Sequence, residues 1–377
     1  MPHDDLATQL ISNSVAADRK SHASIGSIPA LHTDLFIREL DEQRFAEWER
    51  FVDHCPEATF FHRAGWKRAI ERGLGHRGYY LFAERGGSIE GILPLVHIKS
   101  ALFGHSLTSL AFCVYGGPVA TNPDALEALD RAARALAQRL GVGHLEYRHR
   151  TPRNYAGALE KPDLYVTFRK SISADVDKNM LAIPRKQRAM VRKGQSAGLR
   201  SEIDADCRRL HRVYAESVRN LGTPVFSRRY FDELKREFGD DCELLVVVQG
   251  EQPVSAVMSF YFREEVLPYY GGGSSLARKC AANDFMYWEV MRRACDRGSR
   301  VFDFGRSKRN TGAFDFKKNW GFEPEPLSYQ YIMLRGQQQP PNVNPLNPKY
   351  RIFIETWRRL PLPVANLVGP YIARQLG

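Results

Sequence analysis

The sequence predicts an α/β (α+β) chain of two tandem domains, each a mixed sheet flanked by helices, on three observations. At 377 residues the chain exceeds one ordinary hydrophobic core and suits two domains of about 150 residues with tails. The order of strand-like and helix-like segments in one half returns in the other at an offset of roughly 155 to 163 residues. Apolar residues at 43% and charged residues at 26% give the composition of a folded protein rather than a disordered or fibrous one.

Residues 1–34 mix Ser, Ala, His and Asp without periodicity and read as a flexible leader. A first domain over 35–170 opens on a strand-like run at 34–38. Residues 79–84 read as a strand, Gly86-Gly87 as a hairpin turn and 91–96 as a second strand, with Tyr115-Gly116-Gly117 as a following glycine turn. A second domain over 171–335 repeats this with strands at 243–248 and 255–261, a turn at 250–253, and Tyr270-Gly271-Gly272. Each Tyr-Gly-Gly precedes a helix-period segment, 126–140 or 285–297, and Phe285, Trp288, Met291 and Cys295 share one side of the latter. Gly141 and Gly298 suit helix C-caps, and strands at 144–147 and 301–304 follow them. Two antiparallel strands and then a helical crossover into a further strand is the order an acetyltransferase-like (GNAT-like) domain requires, here met twice. Residues 336–377 read as a Pro/Gln-rich linker and an amphipathic, basic C-terminal segment at 351–360.

The formal charge of +11 favours anionic partners. Residues 184–200 hold six basic side chains and no acidic one, and Lys186 and Arg188 there are candidate phosphate contacts; a solvated helix face accounts for the same run equally well. Cys55, Cys113, Cys207, Cys242, Cys280 and Cys295 form no CxxC pair and no zinc-like spacing with His, so reduced core cysteines and no metal are expected. No apolar run reaches 18 residues and no apolar core follows the N-terminal charges. A cytoplasmic location without a transmembrane segment is therefore expected, with peripheral contact between the C-terminal segment and an anionic inner membrane as a further expectation. Residues 73–78 spell GxGxxG but lie between a helical segment and a strand, the reverse of the order a dinucleotide fold needs. GxSxG and GxxxxGK[ST] are absent, which argues against serine hydrolases and P-loop NTPases.

The chemically informative stretch is 268–321. Gly271 and Gly272 at a strand end can present backbone N–H groups to a phosphate or an oxyanion, although a tight turn needs the same residues. Asn283 or Asp284 can cap the next helix. Asp303 can orient a basic partner such as Arg306 or Lys317, and Lys317, following Phe316 and preceding Trp320-Gly321, can direct its charge at a carbonyl or phosphate. Tyr270 can position an acceptor or relay a proton.

With its Tyr-Gly-Gly turn, helix, strand ending Asp303-Phe304-Gly305 and then Phe316-Lys317 before Trp320 and Gly321, the chain resembles the FemAB family of aminoacyl and peptidyl transferases over roughly residues 35–335. Tyr214, Ser217, Arg219 and Tyr230-Phe231 fit the family's pattern upstream, while Asn220-Leu221-Gly222-Thr223-Pro224 departs from the usual Asp-Gly-Phe. Residues 183–188 (IPRKQR) and 269–273 (YYGGG) are similar to the FemAB branch associated with exosortase and PEP-CTERM systems beside exopolysaccharide genes. The resemblance implies transfer of an acyl or aminoacyl group to an amine on a cell-envelope or exopolysaccharide precursor, from aminoacyl-tRNA or acyl-CoA, with no tightly bound cofactor. Lys317, Tyr270 and Asp303 are then the catalytic candidates. Arg219, Tyr214, Gly271, Gly272, Phe316, Arg306, Lys186 and Arg188 are the candidates for contacting substrate, whose anionic part is tRNA, a nucleotide-sugar or the phosphates of CoA. The alternatives are an acyl-CoA-dependent N-acetyltransferase acting on exopolysaccharide sugars, and a non-catalytic basic adaptor.

Overall fold

Two mixed sheets, each of eight strands, carry the chain. The computed structural model describes residues 34–376 except 101–103, 162–164, 337–338 and 341–347. Residues 1–33 of the expected leader and much of the expected linker lie outside the described residues. The first sheet runs Phe36–Glu39, Arg77–Arg85, Ser88–Ser100, Gly104–Ser109, His144–His149, Ser328–Met333 and Leu159–Glu160, with Val119–Ala120 paired to Ser88–Ser100. The second runs Leu199–Asp204, Cys242–Gln249, Gln252–Phe262, Glu265–Gly273, Val301–Asp303, Tyr165–Ser171 and Ser307–Lys308, with Pro324–Pro326 paired to Tyr165–Ser171.

Strand for strand, the two orders correspond, and each contains one parallel pair joined through a helix. Gly104–Ser109 lies parallel to His144–His149 across Pro123–Leu140, and Glu265–Gly273 lies parallel to Val301–Asp303 across Ala282–Asp296. The strand beyond each parallel pair is exchanged. Tyr165–Ser171 follows the other strands of the first half yet pairs in the second sheet, and Ser328–Met333 follows the whole second sheet yet pairs in the first. The boundary expected at 170/171 therefore falls at the end of a second-sheet strand. Periodicity reports which face of a strand is buried and carries no information about a partner in the other half of the chain.

The helix Pro123–Leu140 forms because Asn122 accepts from Ala125 N at 2.9 Å, Pro123 has no N–H to leave unpaired, and Gly141 at φ 63° closes the far end. Its Leu129, Ala133 and Leu136 cover the outer face of the first sheet against Leu93 and Leu95. Arg185–Ser196 and Ala282–Asp296 cover the outer face of the second, where Val191, Phe285 and Val290 meet Leu245 and Val257. The inner faces share one core with the helices between them, in which Trp48, Trp66 and Tyr80 join Tyr230, Phe231 and Phe260. Gly65–Leu74 and Arg228–Phe238 pack closely there: a Cβ on Gly73 would lie 2.9 Å from Tyr230 Cα, and one on Gly65 would lie 2.9 Å from the Phe238 ring. Gly75 at φ 76° caps the first of these helices. Two glycines of the literal GxGxxG are thus explained by packing and capping.

Polar ties across the halves fix their relation. Tyr269 donates to Phe112 O at 3.0 Å and Tyr329 to Val114 O at 2.6 Å. The Arg263 guanidinium reaches the carbonyls of Val52, Asp53 (3.1 Å) and Cys55 (2.9 Å). Arg169 donates to Asp303 Oδ2 at 2.7 Å and forks onto both oxygens of Glu265, and the Tyr115 hydroxyl of the first half lies 2.9 Å from Thr167 Oγ1 and 3.4 Å from Asp303 Oδ2. Asp303 is 1% exposed, so removing it leaves Arg169 a buried cation with one carboxylate in place of two. Asp303→Ala is expected to lower stability by about 3–5 kcal/mol and Tyr115→Phe by about 1 kcal/mol, read from urea unfolding midpoints at unchanged slope.

Candidate functional site

The two parallel pairs, alike in topology, differ beyond their hydrogen-bonded ends. In the second sheet, Glu265 stands opposite Val301 and Val266 opposite Phe302, and beyond Val266 no strand among the described residues pairs with that edge of Glu265–Gly273. On its other edge the same strand stays paired to Gln252–Phe262, with a register slip that places Met258 opposite Tyr270 and Ser259 opposite Pro268. Tyr269 is the extra residue of a bulge, beside a proline that has no N–H for the ladder. The strands therefore part into a V with backbone polar groups along one lip. In the first sheet the matching gap is bridged: Gly117 N donates to Arg148 O at 2.9 Å, Arg148 N donates to Ser109 Oγ at 2.8 Å, and the Arg148 guanidinium reaches Cys113 O at 3.0 Å and Glu146 at 2.9 Å. Buried His62 sets its Nε2 2.9 Å from Gly117 O, and burial holds its imidazole down at about 4, so it is neutral in the plug.

The glycines on the open lip belong to the strand and form no turn, contrary to the sequence expectation. Side chains from two helices press on them. A Cβ on Gly271 would lie 2.9 Å from the Tyr287 hydroxyl, one on Gly272 would lie 2.6 Å from Ser217 Cβ, and one on Gly273 would lie 2.5 Å from Asn283 Oδ1. Gly273 N donates to Ser217 Oγ at 3.3 Å. The helix Ala282–Asp296 starts after Ala281 at φ 58° and has no side-chain cap. The expected cap from Asn283 or Asp284 is not made, because Asp284 accepts from Trp320 Nε1 at 3.0 Å instead and Asn283 Oδ1 is buried without a partner, as is Ser274 Oγ. An uncapped helix start beside unpaired side-chain oxygens leaves positive dipole and free donors at the end of the glycine lip.

Phe304, Gly305 and Arg306 form the other lip. Asp303 accepts from Gly305 N at 2.7 Å, and Gly305 at φ 67° turns the chain away from its neighbour. Lys317 stands on the helix Gly312–Asn319, which Thr311 caps, and its Nζ donates to Gly305 O at 2.9 Å and to Arg306 O at 3.1 Å. Desolvation pushes this lysine down to about 7; Asp303 opposes the shift and Arg306 adds to it. The half-buried Arg306 guanidinium donates to the Tyr329 hydroxyl at 3.1 Å and lies 4.6 Å from the Tyr165 ring centroid. Tyr287 stands between the lips, its ring 4.9 Å from Phe304 and 5.5 Å from Phe316, and burial raises its hydroxyl to about 12.

Residues 184–318, the segment that holds both lips, match the family described as Acetyltransferase (GNAT) domain. Among solved structures the chain is similar to FemX, with a TM-score of 0.63 at 15% identity, over 79% of this chain and 97% of that one. It is similar to L-PGS from Bacillus licheniformis at a TM-score of 0.53 and 14% identity, over 88% of this chain and 98% of that one. A tandem GNAT protein from the clavulanic acid biosynthesis pathway gives 0.52 at 13% identity, over 81% and 100%. At such identities the likeness is one of fold, and the expected tandem acetyltransferase-like architecture is the one observed. No curated protein matches.

Of the residues singled out in the sequence, Gly271, Gly272, Phe316, Arg306 and Lys317 surround the V. Asp303 sits at its closed end as an anchor, and its basic partner is Arg169 in place of the expected Arg306 or Lys317. Tyr270 points into the shared aromatic core, 3.1 Å from the Tyr230 hydroxyl, and Tyr214 packs against its ring. Arg219 donates to Arg358 O at 3.1 Å and so fastens a C-terminal helix. Lys186 and Arg188 lie on Arg185–Ser196, Lys186 exposed and Arg188 bonded to Leu181 O at 3.3 Å. Tyr287 and Arg169 went unnoticed in the sequence, since a tyrosine beside Trp288 in an apolar helix and an arginine between Phe168 and Lys170 match no motif. Among the described residues no group of three or more His, Cys, Asp or Glu could hold a metal.

Gly272→Ala is expected to cost about 1–3 kcal/mol by overpacking against Ser217, and Ser217→Gly in the same chain to restore part of it, as thermal melts of the single and double variants will show. Lys317 offers a second check. Its folded value lies below its unfolded one, so the unfolded chain binds the extra proton between about 7 and 10 and stability gains as pH rises through that window. Wild type should therefore gain on Lys317→Met as pH rises across this range in paired urea titrations.

Proposed function

We propose that the chain transfers an acyl or aminoacyl group from an activated donor to an amine, with the chemistry in the open V of the second half. The observation that carries this reading is the contrast between the two halves: the same parallel pair is plugged in the first sheet and open in the second, with polar groups free along one lip. The donor carbonyl lies along the Tyr269–Gly272 edge and accepts from backbone N–H groups there. Donor phosphates meet the uncapped start of Ala282–Asp296 near Ser274 and Asn283. The amine attacks the carbonyl carbon and the C–N bond forms, giving a tetrahedral oxyanion stabilised by lip N–H groups and Lys317; its collapse breaks the C–S or C–O bond to the leaving group, and the proton lost by the amine nitrogen passes to water and replaces the one given to the leaving group. Tyr287, between the lips, is placed to return a proton to the leaving thiolate or alkoxide. The first half supports the second, its own parallel pair being bridged by Gly117 and Arg148.

An aminoacyl-tRNA donor is favoured by the charge of +11 and by the basic face of Arg185–Ser196 with Lys186 and Arg188. Acyl-CoA as donor, and hence an N-acetyltransferase, is the second reading, and the match of residues 184–318 to the acetyltransferase domain favours it. A cell-envelope or exopolysaccharide amine as acceptor, and a place beside PEP-CTERM and exosortase systems, rest on the sequence resemblance alone. A non-catalytic adaptor would have no use for an open V.

Melting curves of the full chain with acetyl-CoA or with total aminoacyl-tRNA, at low and moderate salt, test the site. A donor at 100 times its Kd is expected to add about 2.7 kcal/mol, a shift of several degrees. Lys317→Ala should abolish transfer to an amine acceptor while the donor still binds. Full activity in that variant removes the site assignment, and absence of a shift with either donor removes the function.

A further inference from the structure

The helix Leu362–Ala373 is built the wrong way round for a helix in water. Ala365, Gly369 and Ala373, one small residue per turn, are its buried positions, and Gly369 sits so close to the chain that a Cβ would lie 3.2 Å from Val225 N and O. The large apolar residues face outward, with Leu367 71% and Tyr371 62% exposed beside Val364 and Val368. A helix of a water-soluble fold turns such a stripe toward the core. Seven of the twelve exposed large hydrophobic side chains among the described residues fall between Ile352 and Leu376, and four of them, Val364, Leu367, Val368 and Tyr371, recur at the spacing of one helix face. No charged residue occurs from Leu360 to Ala373.

The charges that immediately flank the helix Leu362–Ala373 are basic at both ends, and exposed Glu355, a turn further back, lies beside Arg351 at 3.9 Å. Arg358 and Arg359 precede it, and exposed Arg374 follows it. Arg374 also lines an open basin of about 420 Å3 together with His76, Arg77, His97 and Lys99, and among the described residues no acidic side chain lines it. Arg77 has an ion pair with Glu39 at 3.2 Å, and His76 Nε2 donates to Arg374 O at 2.5 Å, which fixes the end of the helix at the basin's edge.

We infer that Leu362–Ala373 lies in the interface of an anionic phospholipid bilayer, its outward Val364, Leu367, Val368 and Tyr371 among the acyl chains and a headgroup phosphate in the basin beside Arg374. At 12 residues the helix spans about 18 Å, too short to cross a bilayer but suited to lying in its surface plane. The charge pattern selects the occupant: a second copy would bring cationic rims face to face, whereas an anionic bilayer satisfies the rims and the apolar face together. The surface shares no residue with the V of the second half, so it stands whether or not that site transfers acyl groups.

Co-sedimentation of the full chain with vesicles of equal parts phosphatidylglycerol and phosphatidylcholine, against phosphatidylcholine alone, tests the inference. The chain should pellet with the anionic vesicles and be released by high salt. Leu367→Glu should bind at least about tenfold more weakly, and Arg359→Gln and Arg374→Gln each about fivefold more weakly. These side chains are exposed, so melting temperatures should match wild type. Equal binding by wild type and Leu367→Glu, or failure of wild type to bind anionic vesicles, overturns the inference. A concentration-dependent dimer in light scattering that Leu367→Glu abolishes would assign the face to a second copy instead.

Discussion

The site depends on a cation held at the closed end of a V. Arg169 reaches from Tyr165–Ser171 to Asp303 on the neighbouring strand and on to Glu265 on the next, so one guanidinium ties three successive strands. Two parallel strands left to themselves would continue to exchange hydrogen bonds, because unpaired backbone groups are costly. Here the pairing stops after Val266, and Asp303 sets the path of the chain beyond it, taking the Gly305 N–H and turning the backbone outward while it holds Arg169. The five fixed donors of a guanidinium suit this task better than an ammonium does. Burial costs the arginine its water, and two carboxylates keep its proton bound well above the usual range.

The halves share a strand order and have diverged in what fills the gap. In the first, Gly117 and Arg148 rebuild the missing ladder across the opening and neutral His62 closes it from behind. In the second, the gap is lined by Tyr287, Phe304 and Phe316, and by a lysine that burial brings close to neutrality. Desolvating this lysine costs folding energy, and what it returns is the pair of bonds to Gly305 O and Arg306 O that hold the second lip in place.

The strand exchange makes this divergence possible without loss of integrity. Tyr165–Ser171 in the second sheet and Ser328–Met333 in the first cross between the halves, and Trp48, Trp66, Tyr230 and Phe260 occupy one core. A half with its gap sealed still contributes a wall to the other, since Tyr115 reaches Thr167 and Asp303 at the closed end of the V.

The sequence alone determined the repeated order of elements, the helices and their glycine ends, and the presence of Lys317, Phe316, Arg306 and the glycines near one another. These features arise from local preferences: the 3.6 and 2 periodicities, caps at Asn122 and Gly141, and short connections. It did not determine which strand closes each sheet, that Gly271–Gly273 extend a strand, that Asp303 pairs with Arg169 across 134 residues, or that Tyr270 belongs to the core while Tyr287 stands between the lips. Only tertiary structure decided these, because each depends on which distant surface a residue meets. A glycine makes room as readily for a turn as for Ser217 pressing from a neighbouring helix, and nothing local in the chain tells the two apart.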